Sequence, residues 1–101
     1  MENRKKDAGL GRESAETLSL QALTWLAEDE ARINGFLGMS GASVGDMATA
    51  ATDATFLGAV LDYLLTEDAM VIGFCDARGL PYDAPMKARA ALPGGDHWHW
   101  T

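Results

Sequence analysis

Cysteine is almost missing from this chain of 101 residues, in which Cys75 is the only one. A single cysteine excludes an intramolecular disulfide framework and is typical of proteins from a reducing compartment. Long apolar runs are missing too, since the longest, AMVIGFC (69–75), is far shorter than the ~18 residues that a membrane span needs. The opening stretch, MENRKKDAGLGRE (1–13), is charged and lacks the apolar core of a signal peptide. We therefore expect a cytoplasmic protein that does not cross a membrane.

Positive charge is scarce. The chain has eight Lys and Arg residues against fifteen Asp and Glu residues, a net charge of −7. Residues 1–13 hold four basic and three acidic side chains, whereas residues 14–101 hold four basic and twelve acidic ones. A surface of this sign repels the phosphate backbone of nucleic acids, whose affinity for proteins comes largely from Lys and Arg. Nucleic acid is therefore not an expected partner.

Catalytic motifs are absent as well. The sequence has no glycine-rich phosphate loop, no paired CxxC, no HExxH and no Ser/His/Asp arrangement. Cys75 has no histidine in the helical part of the chain, since His97 and His99 both fall among the last residues. We expect Cys75 to be a buried, unreactive thiol, because reactivity needs an accessible and electropositive setting. The acidic clusters at 28–30 and 67–68 suit helix starts. The sequence thus predicts no catalytic residue and no cofactor.

What the sequence does contain is a strong helical pattern. Hydrophobic residues make up 48% of the chain and charged residues 23%, a globular balance, and the length suits one domain. From Ser14, an N-cap candidate, the stretch SAETLSLQALTWLAED is apolar except for one narrow polar stripe, which indicates a mostly buried helix. The stripe consists of Thr17, Gln21, Thr24 and Glu28. We predict a disordered leader over 1–13, a single helical domain over 14–92 and a flexible or docking C-terminal tail over 93–101.

An internal repeat of about 38 residues organises this domain. A shift of 38 places AEDEARINGFLGMSG (27–41) over LTEDAMVIGFCDARG (65–79) and Trp25 over Tyr63. The identical pairs are Leu23 and Leu61, Leu26 and Leu64, Ala31 and Ala69, Gly35 and Gly73, Phe36 and Phe74, and Gly41 and Gly79. Each unit should form three helices that cannot cover their apolar faces alone. The expected fold class is all-α, a compact bundle of five or six short helices from two similar three-helix units.

Glycines mark two features of these units. Gly41 and Gly79 suit the left-handed position that ends a helix. Gly35 and Gly73 recur inside helical patterns, where glycine costs about 1 kcal/mol relative to alanine. Their recurrence indicates close approach between helices.

The start of the third helix in each unit is also marked. In unit one, Ser43 and Asp46 match a capping box. In unit two, Asp83 is the expected N-cap, and Pro85 follows in the first turn, where a missing N–H does no harm. We therefore expect a third helix after each of these caps.

The two units differ at positions that bear on function. Arg32 and Asn34 of unit one correspond to Met70 and Ile72 of unit two. Either unit two lies deeper in the core, or Met70 and Ile72 form an apolar patch that binds a partner. Both interpretations remain open from the sequence.

The tail GGDHWHWT (94–101) is the most unusual local stretch. In an extended chain, His97 and His99 point to one side, and Trp98 and Trp100 point to the other. Indoles offer much apolar area and one donor, so we expect the tail to dock on the domain or on a partner, or else to stay mobile. The two imidazoles are candidate ligands for a divalent metal, although zinc sites need three or four protein ligands.

Three stretches together resemble a known family: AETLSLQALTWLAED, FLGAVLDYLLTEDAMVIGF and GLPYDAPMKARAALPG. They are similar to small bacterial proteins, found mainly in alphaproteobacteria, that are catalogued as domain of unknown function 3572. The resemblance covers roughly residues 15–95. It implies an all-helical, cytoplasmic, bacterial protein, and it brings no activity and no functional residues to this chain.

The leading functional prediction is a non-catalytic interaction or regulatory module that binds a protein partner or itself. Its expected contact residues are Met70, Ile72, Trp98 and Trp100. The alternative is a metal- or ligand-responsive protein that uses the tail histidines. A third hypothesis is helix-turn-helix-like DNA binding by FCDARGLPYDAPMKARAAL (74–92), which the acidic charge disfavours.

Overall fold

A computed structural model of the chain describes residues 11–41, 43, 45 and 53–92. Within these ranges the protein is all-helical and has no strand. The helices are α1 (Arg12–Ala27), α2 (Glu30–Ser40), α3 (Ala54–Leu64), α4 (Asp68–Arg78) and α5 (Ala84–Ala91). The prediction of a compact all-α fold with short helices is confirmed.

The N-cap of helix α1 lies three residues earlier than the sequence indicated. Gly11, rather than Ser14, is the N-cap, with extended backbone at φ −75° and ψ 169°. The amide of Ala15 donates to the carbonyl oxygen of Gly11 at 2.9 Å, so backbone groups alone close the first turn. The helical domain therefore starts at Arg12, and residues 1–10 of the predicted leader lie outside the described ranges.

Helices α2 and α4 end in the same way but begin differently. Gly41 and Gly79 both adopt the left-handed conformation, with φ of 78° and 68°, and this confirms the predicted C-caps. At the other end of α2, the carboxylate of Asp29 accepts hydrogen bonds from two amides of the first turn, at 2.9 and 3.2 Å. Glu67, the corresponding residue before α4, makes no such side-chain bond.

Helix α5 begins where the sequence predicted. Asp83 is its N-cap, and Pro85 lies in its first turn. The carboxylate of Asp83 pairs with Lys87 at 3.2 Å instead of bonding to the helix amides. The corresponding helix of unit one, predicted from Ser43 and Asp46, falls largely outside the described residues.

Helix α1 is central to the fold, since it packs closely against α2, α3 and α5. The four residues of its polar stripe are exposed, as predicted, but Leu20 on its apolar side is exposed too. Ser19 is buried, and its hydroxyl donates to the carbonyl oxygen of Ala15 at 2.7 Å. The buried hydrophobic residues are Ala15, Leu18, Ala22, Trp25, Leu26, Phe36, Leu57, Val60, Leu61, Leu64, Phe74, Cys75, Ala84, Ala88 and Leu92.

An aromatic ring of the first unit fills a space beside a glycine of the second. The indole of Trp25 on α1 packs against Phe74 on α4, with ring centroids 5.9 Å apart and planes inclined by 60°. Gly73 makes room for this indole, because a Cβ atom there would lie 3.0 Å from its Cζ2 atom. Trp25 thereby anchors α4 to the central helix.

The converse contact involves the residues 38 positions away. Tyr63 on α3 packs against Phe36 on α2, with ring centroids 5.7 Å apart and planes again inclined by 60°. Gly35 leaves room for the Tyr63 hydroxyl, which a Cβ atom at that position would meet. An aromatic side chain from another helix thus occupies the space beside each glycine, whereas close approach between the helices themselves stays a prediction.

The helix bounds follow the offset of the sequence repeat only in part. Helices α2 and α4 differ by 38 residues at both ends, whereas α1 and α3 differ in length. Helix α1 also packs closely against α2, and α3 does not pack as closely against α4. A structural repeat of two three-helix units thus stays a prediction.

An ion pair links α5 to α3. Nε of Arg89 donates to Oδ1 of Asp62 at 2.6 Å, and Nη2 donates to Oδ2 at 3.3 Å. The guanidinium lies over Gly58, where a Cβ atom would come within 3.0 Å of Nη1. Two parallel charge-assisted bonds fix the relative position of the two helices more firmly than a single exposed pair does.

Candidate partner-binding surface

Met70 and Ile72, the predicted contact residues of unit two, lie on different sides of α4. Residues two positions apart on an α-helix are separated by about 200° around its axis. Met70 is half-buried and packs against the core, whereas the side chain of Ile72 is 44% exposed. Of the two interpretations left open by the sequence, the core position applies to Met70 and the surface position applies to Ile72.

The remaining predicted site residues lie outside the described ranges. This applies to Trp98 and Trp100, to the candidate metal ligands His97 and His99, and to the whole tail 93–101. Among the residues that the structure does describe, no group of three His, Cys, Asp or Glu side chains is placed to hold a metal ion. No helix within the same ranges combines the length and the apolar character that crossing a membrane requires.

Large apolar side chains are exposed along one segment, residues 72–86. Across the described part of the chain, the exposed large apolar side chains are Leu20, Met39, Ile72, Tyr82 and Met86. Three of the five belong to this segment, and Tyr82 and Met86 are 55% and 60% exposed. Single exposed apolar residues are ordinary, but a group of them is typical of a binding surface.

A hydrogen bond joins the parts of this segment. The hydroxyl of Tyr82 donates to Oδ1 of Asp76 at 2.7 Å. Asp76 follows Ile72 by one helical turn, so the two side chains lie on the same side of α4. Met86 follows Tyr82 by four residues, in the first turn of α5. We call these four residues, together with Asp83, the α4–α5 face.

The turn that carries Tyr82 is held against the end of α4. The amide of Leu80 donates to the carbonyl oxygen of Cys75 at 2.9 Å, and the thiol of Cys75 donates to the carbonyl oxygen of Pro81 at 3.3 Å. The left-handed conformation of Gly79 permits this reversal of the chain. Cys75 is fully buried, as predicted, so the turn is anchored from within the core.

Two groups of this region have raised pKa values. Burial raises the pKa of the Cys75 thiol, and the carboxylates of Asp76 and Asp83 raise it further. The hydrogen bond to Asp76, followed by the charge of that carboxylate, raises the pKa of Tyr82. Both groups are uncharged at neutral pH, and Cys75 lacks the electropositive surroundings of a reactive thiol.

Each basic side chain in the described part of the chain takes part in an ion pair. The pairs are Arg12 with Glu16, Arg32 with Asp29, Arg78 with Glu28, Lys87 with Asp83, and Arg89 with Asp62. Lys87 and Arg89, the cations on which DNA binding by this region would depend, are thus both engaged with carboxylates of their own chain. The described surface is left with an excess of acidic groups.

A shallow depression of about 430 Å³ lies beside α1. It is lined by Glu13, Ser14, Thr17, Leu18, Gln21 and Leu80. Its polar lining residues are all exposed, and the hydroxyl of Thr17 is already bonded to the carbonyl oxygen of Glu13 at 3.1 Å. It lacks the enclosure and the converging polar groups of a small-molecule site.

The sequence pattern does not single out Tyr82 and Met86 as contact residues. Tyr82 lies in GLPYD (79–83), whose composition indicates a turn and nothing more. Burial of Ala84 and Ala88 leaves Met86 on the outer side of α5, but an eight-residue helix gives too short a pattern to predict this. The one weak indication in the sequence that Tyr82 is a contact residue is the presence of an aromatic side chain within a turn.

Comparison with protein families gives a match that begins at the first residue of α1. The matching family model is described as "Protein of unknown function (DUF3572)", and it covers residues 12–95. No curated protein and no solved structure matches the chain. The matched range includes every helix described above.

Proposed function

The chain belongs to the family described as protein of unknown function (DUF3572), and we propose that it acts as a non-catalytic interaction module. Its binding surface in this proposal is the α4–α5 face, and its partner is a protein. The observation that carries the proposal is the exposure of three large apolar side chains, Ile72, Tyr82 and Met86, within one segment. We place this function in the cytoplasm, because the sole cysteine, Cys75, leaves no intramolecular disulfide to form.

Hydrogen bonds that position Tyr82 in the α4–α5 face support this proposal. Tyr82 is held by its hydrogen bond to Asp76, and its turn is anchored by the buried thiol of Cys75. A side chain that is ordered before binding loses less conformational entropy when a partner arrives. Tyrosine also supplies a large, amphipathic contact area, and it is enriched among the residues that dominate binding energies.

Site-specific photo-cross-linking in cells tests the proposal. A benzophenone amino acid would replace Ile72 or Met86 in the full chain, and Leu20, which is exposed on α1, would serve as the matched control position. We expect a discrete cross-linked protein from positions 72 and 86 and none of that mass from position 20. Absence of cross-links from both test positions, or the same products from position 20, would contradict the proposal.

A pair of matched variants tests the same surface by affinity capture. Ile72→Asn introduces the residue that unit one carries at the corresponding position, and Leu20→Asn makes the same change elsewhere. Because both residues are exposed, both variants should keep their helicity, and only Ile72→Asn should release the cross-linked partner. A further version that ends at Gly94 examines the predicted contribution of Trp98 and Trp100, since a partner lost from it depends on the tail.

A further inference from the structure

The outer side of α4 combines acidic and apolar residues in a defined spacing. Its exposed residues include Asp68, Ala69, Ile72 and Asp76, which fall within about 100° around the helix axis. Asp68 and Asp76 are eight residues apart, a rise of about 12 Å, with Ile72 midway between them. Ala69 is small, so it permits another helix to approach closely.

This pattern belongs to unit two alone. At the positions that correspond to Ile72 and Asp76, unit one carries Asn34 and Gly38, which offer neither an apolar side chain nor a carboxylate. Tyr82 and Met86 extend the apolar part of the surface beyond α4. The residues of the α4–α5 face are therefore specific to unit two and do not belong to the helix pattern that the two units share.

The negative charges around this face favour a positively charged partner. The carboxylates of Asp68 and Asp76 take part in none of the ion pairs found among the described residues, and Asp76 accepts only the neutral hydroxyl of Tyr82. The described cations are already paired, and the whole chain has a net charge of −7. A partner that supplies its own cations gains attraction from these carboxylates, and an acidic partner meets repulsion.

We propose that the partner bound by the α4–α5 face is a cationic amphipathic helix of another protein, an inference that rests on the proposed function. Its apolar side chains contact Ile72, Tyr82 and Met86. Its Lys or Arg side chains, placed seven or eight residues apart on one side, pair with Asp68 and Asp76. The spacing matches because residues at i and i+7 project from the same side of a helix, about 11 Å apart.

Other occupants fit the same surface less well. A second copy of this chain would bring another −7 of charge against it. An anionic membrane surface and nucleic acid are repelled for the same reason. The chain's own basic segment, Arg4 to Lys6, has the right charge, and the test below includes it as a competitor.

The probe is a synthetic helical peptide of Leu, Ala and Lys with its Lys residues at i and i+7 beside a Leu stripe. The full-length protein would be titrated into the labelled peptide, into a scrambled peptide of the same composition and into a version with Glu in place of Lys. We expect the Lys helix to bind about tenfold more tightly than either control peptide. Chemical-shift changes in the labelled protein should centre on the α4–α5 face.

Matched variants locate the contact. Ile72→Asn should weaken binding of the Lys helix about tenfold, while Leu20→Asn should change it less than about twofold. Asp76→Asn should weaken binding and lower its dependence on salt, because it removes one charge pair. Glu30→Gln, at the position in unit one that corresponds to Asp68, should leave both unchanged. Met86→Gln provides a second test of the apolar contact if Ile72→Asn loses helicity.

The outcomes separate this inference from the proposed function. Equal binding of the scrambled peptide would reveal non-specific charge attraction and overturn the inference. Equal binding of the Glu helix, still weakened by Ile72→Asn, would overturn the cationic partner and leave the face itself standing. Cross-links from position 72 without any binding of the Lys helix would also overturn the cationic partner while leaving the face as a binding surface. Chemical-shift changes at the α4–α5 face of the free protein after Arg4, Lys5 and Lys6 are replaced by Gln would show that the chain's own segment occupies the face, which also overturns the inference.

Discussion

Single residues set the tightest contacts of this core, and the contact between Tyr63 and Gly35 is the clearest. We expect Gly35→Ala to destabilise the fold, although alanine favours a helix by about 1 kcal/mol. The added Cβ would collide with the Tyr63 hydroxyl, and such overpacking costs about 1–3 kcal/mol. Gly38→Ala, on the same helix, meets nothing within 4 Å and should gain the helix preference alone. Urea unfolding should place the midpoint of Gly35→Ala below that of Gly38→Ala.

A second substitution tests the cause of this effect. Tyr63→Phe removes the hydroxyl but keeps the ring, whose Cζ atom would still lie 3.3 Å from the new Cβ. Gly35→Ala should therefore cost much less in the Tyr63→Phe background than in the natural chain. An equal cost in both backgrounds would rule out the hydroxyl as the source of the strain.

The thiol of Cys75 should make the fold less stable in alkaline solution. Burial, followed by the carboxylates of Asp76 and Asp83, raises the pKa of Cys75 above its ordinary value of 9.0 in the folded chain. The unfolded chain therefore loses this proton at lower pH, so the free energy of unfolding should fall as the pH rises above about 9. Unfolding measured between pH 8 and 10 with a reductant should show this fall, and Cys75→Ala should show a shallower one. The same slope in both proteins would count against the thiol.

At the scale of helices, the N-caps of α2 and α4 occupy corresponding positions in the two units and can be compared directly. Asp29 accepts two hydrogen bonds from the first turn of α2, whereas Glu67, 38 residues later, accepts none from α4. Asp29→Ala should therefore lower the free energy of unfolding by about 1 kcal/mol, and Glu67→Ala should lower it by much less. Thermal unfolding followed by circular dichroism measures both changes. Equal losses would indicate that charge at the helix start, rather than the cap bonds, stabilises α2.

For the whole molecule, the excess of acidic groups predicts an effect of salt. The net charge of −7 produces repulsion that screening weakens, while the exposed ion pairs contribute little attraction to lose. Raising sodium chloride from about 0.01 M to about 1 M shortens the screening length from about 30 Å to about 3 Å, and we expect the unfolding midpoint to rise. Glu30→Gln combined with Glu67→Gln should reduce the rise. A midpoint that falls with salt would mean that attraction within the ion pairs outweighs the repulsion.

The whole chain also carries predictions that the described residues do not test. A metal site at His97 and His99 stays a prediction, and so does docking by Trp98 and Trp100, because all four lie outside the described ranges. A calorimetric titration with zinc or nickel addresses the first, since binding that depends on the site should disappear in His97→Ala.

Much of the fold could be predicted because its signals are local. The left-handed caps at Gly41 and Gly79 and the start of α5 at Asp83 depend on a few neighbouring residues. Ser14 is wrong as the N-cap of α1 by three residues, because a good capping residue outweighs glycine in the pattern, whereas Gly11 closes the turn with its backbone alone. Local sequence preferences therefore predict where a helix lies more accurately than they predict the residue at which it begins.

By itself, the sequence determined the helical class, the helix ends at Gly41, Gly79 and Asp83, and the burial of Cys75, since periodicity and caps record these directly. Only the tertiary structure decided which side of α4 meets the core, and this depends on the packing of Trp25 against that helix. That contact turns Met70 inward and leaves Ile72 outside. The α4–α5 face also depends on tertiary structure, because the hydrogen bond between Tyr82 and Asp76 forms only after the chain reverses at Gly79.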